Sequence, residues 1–342
     1  MIEYATKALS RAGFSGLKNL IHNYYECKTK PLICKSWPAT VMSEPSGNCN
    51  LKCKMCVRSA INYRKQGDID FNEWVKVMDN EFPFWHFHGF IGIGEPLYHK
   101  NFVDMIEYLD NRNIWKFVVT NSTLLTDNTI DGLITHNLNR IFLSVDAATK
   151  KTLEKIREGL HYESTMSKIQ NLVEQVKKRK SELEIILQSV CLKENAIELP
   201  ELINLAYKLG IKEVRFQDIE LKFDVGWSTK EHSLRGNRNY FQKYIDESIK
   251  KAKKFGIELK LYNMNDYTNI RKNCFAPWNQ VYIRWNGLIT PCCTTLIDKT
   301  YFYGNIFEEH FKDMWNNEKA QNFRAMARSN KQPKQCKNCS CL

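Results

Sequence analysis

The feature that most restricts how this chain can fold is an alternation. Between Ala39 and Asn263, short β-rich runs take turns with helical patterns. The runs are ATVMS at 39–43, FHGFIGI at 87–93, KFVVT at 116–120, RIFLSV at 140–145, EIILQSVCL at 184–192 and EVRFQDI at 213–219. Apolar residues at helical spacing lie between most of them, over 101–111, 150–158, 164–178 and 199–209. Strands joined through helices run parallel, because the crossover returns the chain to the same end of the sheet. Six such units predict an α/β fold, a partial (β/α)6 TIM-like barrel. Reactive groups in such barrels gather at the C-terminal ends of the strands. This sequence places Glu95, Asn121, Asp146, Gln217 and Asp218 there, with Gln188 inside the fifth run.

Two flanking regions differ in texture. Ile2 to Tyr25 carries an amphipathic helical pattern interrupted by Gly13 and Gly16, and residues 1–38 read as a helical extension. A long charged helix is expected over Glu231–Phe255. Beyond Asn263 come short strands, turns and cysteines, and a boundary near Asp266 divides the barrel (39–265) from a small C-terminal domain (266–342). With 342 residues and 43% hydrophobic content the chain can bury a core of this size. The formal net charge of +12 favours anionic partners, such as a phosphorylated or nucleotide-linked substrate or an acidic electron carrier. No aromatic-interleaved basic stripe supports nucleic-acid binding. There is no secretory h-region and no apolar stretch of membrane-spanning length, so a soluble, cytoplasmic protein is expected.

Twelve cysteines are many for a reducing compartment, where clustered cysteines serve as metal ligands rather than disulfides. Cys49, Cys53 and Cys56 form a C-x3-C-x2-C run directly after the first strand. Three thiolates on one short loop can hold three irons of a cubane and leave the fourth open. A ferredoxin run would add a further nearby cysteine, and a structural zinc site would pair C-x2-C knuckles.

This run resembles that of the radical S-adenosylmethionine superfamily. The resemblance implies that the open iron binds the methionine end of S-adenosylmethionine. The reduced cluster then cleaves it to a 5′-deoxyadenosyl radical that abstracts hydrogen from substrate. The family often has an aromatic residue before the third cysteine; here it is Met55. Gly92-Ile93-Gly94-Glu95-Pro96 is similar to the family's Gly-Gly-Glu-Pro motif. Asn121 and Ser144 match its ribose contacts, and Arg157 matches an arginine that pairs with the methionine carboxylate. The candidate cofactor contacts are thus Gly92, Gly94, Glu95, Pro96, Asn121, Ser144, Arg157 and Gln188.

The C-terminal cysteines form a second group: Cys274, Cys292 and Cys293, then Cys336, Cys339 and Cys341. VYIRWNGLI reads as a hairpin turning at Asn286-Gly287, which brings Cys274 and Cys292 together. With Cys336 and Cys339 four thiolates converge, and either a zinc ion or a fully ligated 4Fe-4S cluster satisfies that set. The region resembles the SPASM and twitch extensions of the same superfamily, which implies one auxiliary 4Fe-4S cluster and leaves Cys293 and Cys341 over.

The expected activity is hydrogen abstraction from a small polar, sugar-like or nucleotide-linked molecule, as an oxidoreductase or epimerase. The auxiliary cluster would accept an electron, and a flavodoxin or ferredoxin would be the reductant. Asp218, Asp146 and Cys191 are the candidates for proton or hydrogen-atom transfer. A peptide or protein maturase is the alternative. The 48 residues before Cys49 look too short for a leader-binding domain, which favours the small molecule. A non-enzymatic Fe–S or zinc protein that binds nucleic acid is the third reading.

Overall fold

The structure, a computed structural model, describes residues 2–60, 66–219, 226–262, 274–296 and 299–329, together with Pro333, Cys336 and Cys339. The chain forms two compact units, and each draws on more than one of the three sequence segments. One comprises Met1–Asn48, Gln66–Phe117 and Thr268–Lys337; the other comprises Cys49–Lys65, Val118–Tyr267 and Asn338–Leu342.

In the first unit, β1 (Thr40–Ser43) pairs parallel with β2 (Phe87–Phe90) on one side. On its other side it pairs parallel with β8 (Gln280–Ile283). β8 turns back antiparallel onto β9 (Leu288–Thr290), and β9 pairs antiparallel with β10 (Gly304–Asn305). The expected hairpin is therefore present. Gly287 takes the left-handed conformation its turn requires, at φ 81°. Helix α3 (Phe71–Glu81) is capped by the Asp70 side chain, which accepts from the Glu73 amide. It buries Trp74, Val77 and Met78, and the Trp74 indole donates to the Ser43 hydroxyl at 3.0 Å.

The N-terminal helix α1 (Ile2–Thr29) is two helices merged across a kink at Gly13, where φ is 58°. Its second half belongs to the core of this unit. Asn23 donates to the Trp278 carbonyl at 2.8 Å, and Asn19 both accepts from the Trp37 amide and donates to its carbonyl. Two short helices close the described part of this unit, Phe311–Trp315 and Glu318–Arg328.

In the second unit, β4 (Arg140–Ser144), β5 (Glu184–Cys191), β6 (Glu213–Asp218) and β7 (Glu258–Tyr262) pair parallel in sequence order. β7 was not among the six expected strands, because its ELKLY sequence is charged and only half-buried. Along β6 burial alternates strictly. Val214, Phe216 and Asp218 are buried, while Arg215 and Gln217 are not fully covered. α8 (Leu199–Leu209) and α9 (Arg238–Phe255) both end on left-handed glycines, Gly210 and Gly256.

α9 begins later than the expected Glu231. The Leu234 and Arg235 amides are spent on the Asp218 carboxylate at 2.8 and 3.3 Å, so they are lost to helix initiation. A Cβ on Gly236 would also collide with the Lys230 carbonyl. The boundary expected near Asp266 lies outside the described residues. Among the described residues no helix is long and apolar enough to cross a membrane.

Candidate active site

The loop bearing Cys49, Cys53 and Cys56 is stitched to the second unit by its backbone. The Lys52 amide donates to the Glu158 carbonyl at 2.8 Å and the Lys54 amide to the Ile156 carbonyl at 2.9 Å. The Lys54 carbonyl accepts from the Trp227 amide at 3.1 Å, and a Cβ on Gly226 would crowd that same oxygen. Met55, in the place of the usual aromatic residue, packs with Trp227 against Ile156, Leu192 and Ile219.

The thiols sit among donors suited to sulfur anions. Cys49 Sγ accepts from the Leu51 amide at 3.5 Å and from Asn121 Nδ2 at 3.7 Å. Asn121 also donates to Asn50, whose amide group donates to Thr123. Burial pushes the Cys53 thiol up to about 12; Arg157 pulls it down, while Cys56, Asp146 and Cys49 push it further up. Burial works against the charge on Arg157. Asp146 and Cys53 outweigh that effect, and the guanidinium is held more firmly protonated than usual.

Asp146 and Arg157 form a buried ion pair at 2.7 Å. The other Asp146 oxygen accepts from the Val190 amide at 2.8 Å, and its carbonyl accepts from Asn195 at 2.7 Å. Among the described residues no three His, Cys, Asp or Glu side chains stand close enough to grip a single metal ion. A cubane, in which each iron takes its own thiolate, makes no such demand. Three thiols with amide, amide-side-chain and guanidinium neighbours are a donor set that fits such a cluster.

The other candidate residues divide by strand face. Ser144 and Gln188 lie side by side in register on β4 and β5, both half-buried. Val190 and Gln217 pair in the same way one layer further along. Cys191 and Asp218 pair with each other on the opposite face, both fully buried. Burial, aided by Asp218 and Asp146, keeps the Cys191 thiol protonated. The Asp218 carboxylate accepts from the Ile219 and Leu234 amides and from the amide and Nε of Arg235. Cys191 and Asp218 are therefore not brought to the face that carries Ser144, Gln188 and Gln217.

In the first unit, the Gly92–Pro96 segment is held by Glu44, which the sequence reading passed over. Glu44 is fully buried at the end of β1 and accepts from the Ile93 amide at 2.8 Å. It pairs with Arg284 at 3.5 Å. Its only sequence signal was an acidic residue in an otherwise apolar strand end. Gly92 leaves no room for a Cβ beside Glu44. A Cβ on Gly94 would strike the Ser46 carbonyl and come within 2.6 Å of the Asn48 carbonyl. Gly94 is thus required by close backbone approach, and Gly92 by the buried side chain of Glu44. Glu95 is buried and caps the short turn Pro96–Tyr98 by accepting from the Leu97 amide at 3.2 Å.

Cys274, Cys292 and Cys336 belong to the first unit and Cys339 to the second. The Cys292 carbonyl is pinned by the Thr290 hydroxyl at 3.0 Å and by the hydroxyl and amide of Thr295 at 2.9 and 3.2 Å. Cys27, scattered in sequence, lies within electrostatic reach of Cys274. Cys293 is half-buried in the turn that follows Cys292, and Cys341 lies outside the described residues.

A loop offering three thiols after the first strand of a parallel α/β scaffold, with a Gly-x-Gly-Glu-Pro segment after the second, defines a radical S-adenosylmethionine enzyme. The chain belongs to the Radical SAM superfamily, whose family profile matches residues 43–206, and carries a SPASM iron–sulfur cluster-binding domain over 274–340. S-adenosylmethionine, a 4Fe-4S cluster and auxiliary iron–sulfur binding come with these domains.

The chain is 29% identical over 321 residues to the tungsten-containing aldehyde ferredoxin oxidoreductase cofactor-modifying protein of Pyrococcus furiosus, covering 87% of this chain and 86% of that one. It is 22% identical over 286 residues to the PqqA peptide cyclase of Gluconobacter oxydans, covering 82% and 76%. Among solved structures it is similar to Streptococcus suis SuiB bound to S-adenosylmethionine, with a TM-score of 0.71, 17% identity, and coverage of 91% and 72%. That likeness supports the expected fold class, a TIM-like α/β barrel with a C-terminal SPASM domain.

Proposed function

We propose that this chain is a peptide- or protein-modifying radical S-adenosylmethionine enzyme. One observation carries the reading: similarity to PqqA peptide cyclases extends over most of both chains. It favours the peptide or protein maturase alternative over the small sugar-like substrate, whose support was the size of the segment before Cys49. That size carries no information about what the site holds, and Asn19, Asn23 and Glu26 of the segment are buried within its own unit.

When bound, S-adenosylmethionine and the clusters supply a one-electron reductant, a hydrogen-abstracting adenosyl carbon and an electron acceptor. Cys49, Cys53 and Cys56 would hold the catalytic cluster; Cys274, Cys292, Cys336 and Cys339 would hold the auxiliary one. Gly92, Gly94, Glu95 and Pro96 shape the cradle for the methionine end. Asn121 orients Cys49 and stands where the ribose would contact the chain, and Ser144 and Gln188 offer hydrogen bonds on the half-open strand face. Arg157 supplies positive charge beside Cys53, with Asp146 fixing its position. Asp218 fixes the chain after β6, and Cys191 is a core thiol. The reductant in this reading is an acidic flavodoxin or ferredoxin in the cytoplasm, steered by the net charge of +12.

A second reading, modification of another enzyme's metal cofactor, draws on the Pyrococcus furiosus relative. The test uses perdeuterated cell lysate divided by dialysis and offered to the anaerobically reconstituted enzyme. Deuterium should enter 5′-deoxyadenosine from the retained fraction and disappear after protease treatment. Label drawn from the dialysable fraction would sink the peptide reading and favour the second.

A further inference from the structure

Among the described residues, a pair of buried donors in the first unit has no acceptor. Tyr303 is 1% exposed and Arg324 0%. Among the described residues, neither the Tyr303 hydroxyl nor Arg324 Nη2 has a hydrogen-bond partner. Burying such groups unpaired is unfavourable, because they give up water without gaining a partner. The rest of Arg324 is fully used. Nε donates to the Pro277 carbonyl at 3.0 Å, Nη1 donates to the Leu32 carbonyl and to Asn316 Oδ1 at 3.0 Å each, and the guanidinium lies over the Trp315 ring. Arg324 is thus locked beneath the turn that follows Cys274.

Tyr303 is fixed from the other side. Its amide donates to the Ile289 carbonyl at 2.9 Å, on the strand that runs directly into Cys292. Cys292, Cys34 and Arg324 all lie within electrostatic reach of its hydroxyl. Cys34 does not offer a competing anion, because burial pushes its thiol up to about 12. The Tyr303 hydroxyl therefore lies within reach of Cys292, and Arg324 stands beside it, held on the carbonyl of Pro277, three residues after Cys274.

We infer that Tyr303 and Arg324 are positioning residues for the auxiliary cluster, donating to its sulfur ligands near Cys292 and favouring its reduced form. The inference rests on the placement of that cluster at the C-terminal cysteines. A hydrogen bond and a fixed positive charge both stabilise the extra negative charge that reduction adds.

The test uses the full-length chain with Cys49, Cys53 and Cys56 replaced by alanine, so that only the auxiliary cluster is loaded. Tyr303→Phe is added in one variant and Arg324→Lys in another, and each is titrated anaerobically with EPR detection. Tyr303→Phe should shift the reduction equilibrium about tenfold towards the oxidised form, about 59 mV for one electron. It should also change the EPR line shape at unchanged iron content. Without metal, the same variant should melt no lower than its parent, because only an unpaired hydroxyl is lost. Should Arg324→Lys fail to fold, Tyr303→Phe alone decides. An unchanged midpoint and spectrum in folded, iron-loaded Tyr303→Phe would overturn the inference. Stoichiometric zinc in the parent would overturn the cluster's placement itself, a separate result read by metal analysis.

Discussion

The ion pair between Asp146 and Arg157 lends itself to a quantitative test through Asp146→Asn. Asparagine keeps the shape and keeps an oxygen for the Val190 amide, now bonded at 2.8 Å. What it removes is the counter-charge 2.7 Å from Arg157. At an effective dielectric of about 20, that distance corresponds to about 6 kcal/mol of gross attraction. Relaxation and water entry reduce the net cost, and breaking one side of a buried pair removes about 3–5 kcal/mol. That is a large share of the roughly 5–15 kcal/mol that holds a typical domain folded.

Urea unfolding of the metal-free protein, followed by circular dichroism, should register the loss as a clearly lower midpoint. Adding Arg157→Met should then recover part of it, since removing both charges leaves no buried orphan. A midpoint for Asp146→Asn within about 0.5 kcal/mol of wild type would refute the argument, because that is the size of an ordinary surface effect. Strict additivity in the double variant would refute it as well.

Three further outcomes follow from the geometry. Gly94→Ala should cost about 1–3 kcal/mol or more, because its Cβ meets backbone oxygens that cannot swing away. It should also weaken S-adenosylmethionine binding in anaerobic equilibrium dialysis; wild-type affinity and melting would contradict the cradle. Replacing Cys49, Cys53 and Cys56 together by alanine should abolish 5′-deoxyadenosine formation and lower the iron content from about eight to about four per chain. Persisting cleavage under dithionite would count against the assignment. Finally, burial raises the Cys53 thiol from 9.0 to about 12. The folded state therefore favours the protonated thiol, a contribution fully present below pH 9.0 and lost as pH rises towards about 12. The metal-free protein should lose stability across that window, and cluster loading, which takes up the thiolate, should flatten the share due to Cys53; a denaturation midpoint constant up to about pH 12 would contradict this.

The periodic parts of this molecule were legible in its sequence, and the reasons are local. Runs such as KFVVT and EVRFQDI alternate so regularly that the strand and its buried face follow from spacing alone. Asn286-Gly287 names its own turn. β7 escaped notice because a half-buried strand need not be apolar. The start of α9 was misplaced because Asp218, distant in sequence, claims the amides that would begin a helix.

The same limit applies to the site. Cysteine spacing and the glycine pair mark chemistry directly, since both impose local geometry. Glu44 and the pairing of Asp146 with Arg157 depend on which strands become neighbours. Cys191 and Asp218 lie one step of the pleat away from Val190 and Gln217, a difference of face that depends on register. The choice between a small molecule and a peptide does not follow from cysteine spacing, because the size of an N-terminal segment says nothing about the pocket.

The parallel pairing of β1 with β8 also bears on how this protein is made. Thr40 pairs with Gln280, so about 240 residues must be translated after the first strand before its second neighbour exists. At about 5–20 residues per second, that strand waits about 12–50 s with one edge uncovered. An uncovered strand edge is a template for joining the wrong chain. The C-terminal hairpin is thus the late arrival that completes a sheet begun near the N-terminus. Shortened chains that end before it should collect in inclusion bodies rather than behave as smaller enzymes.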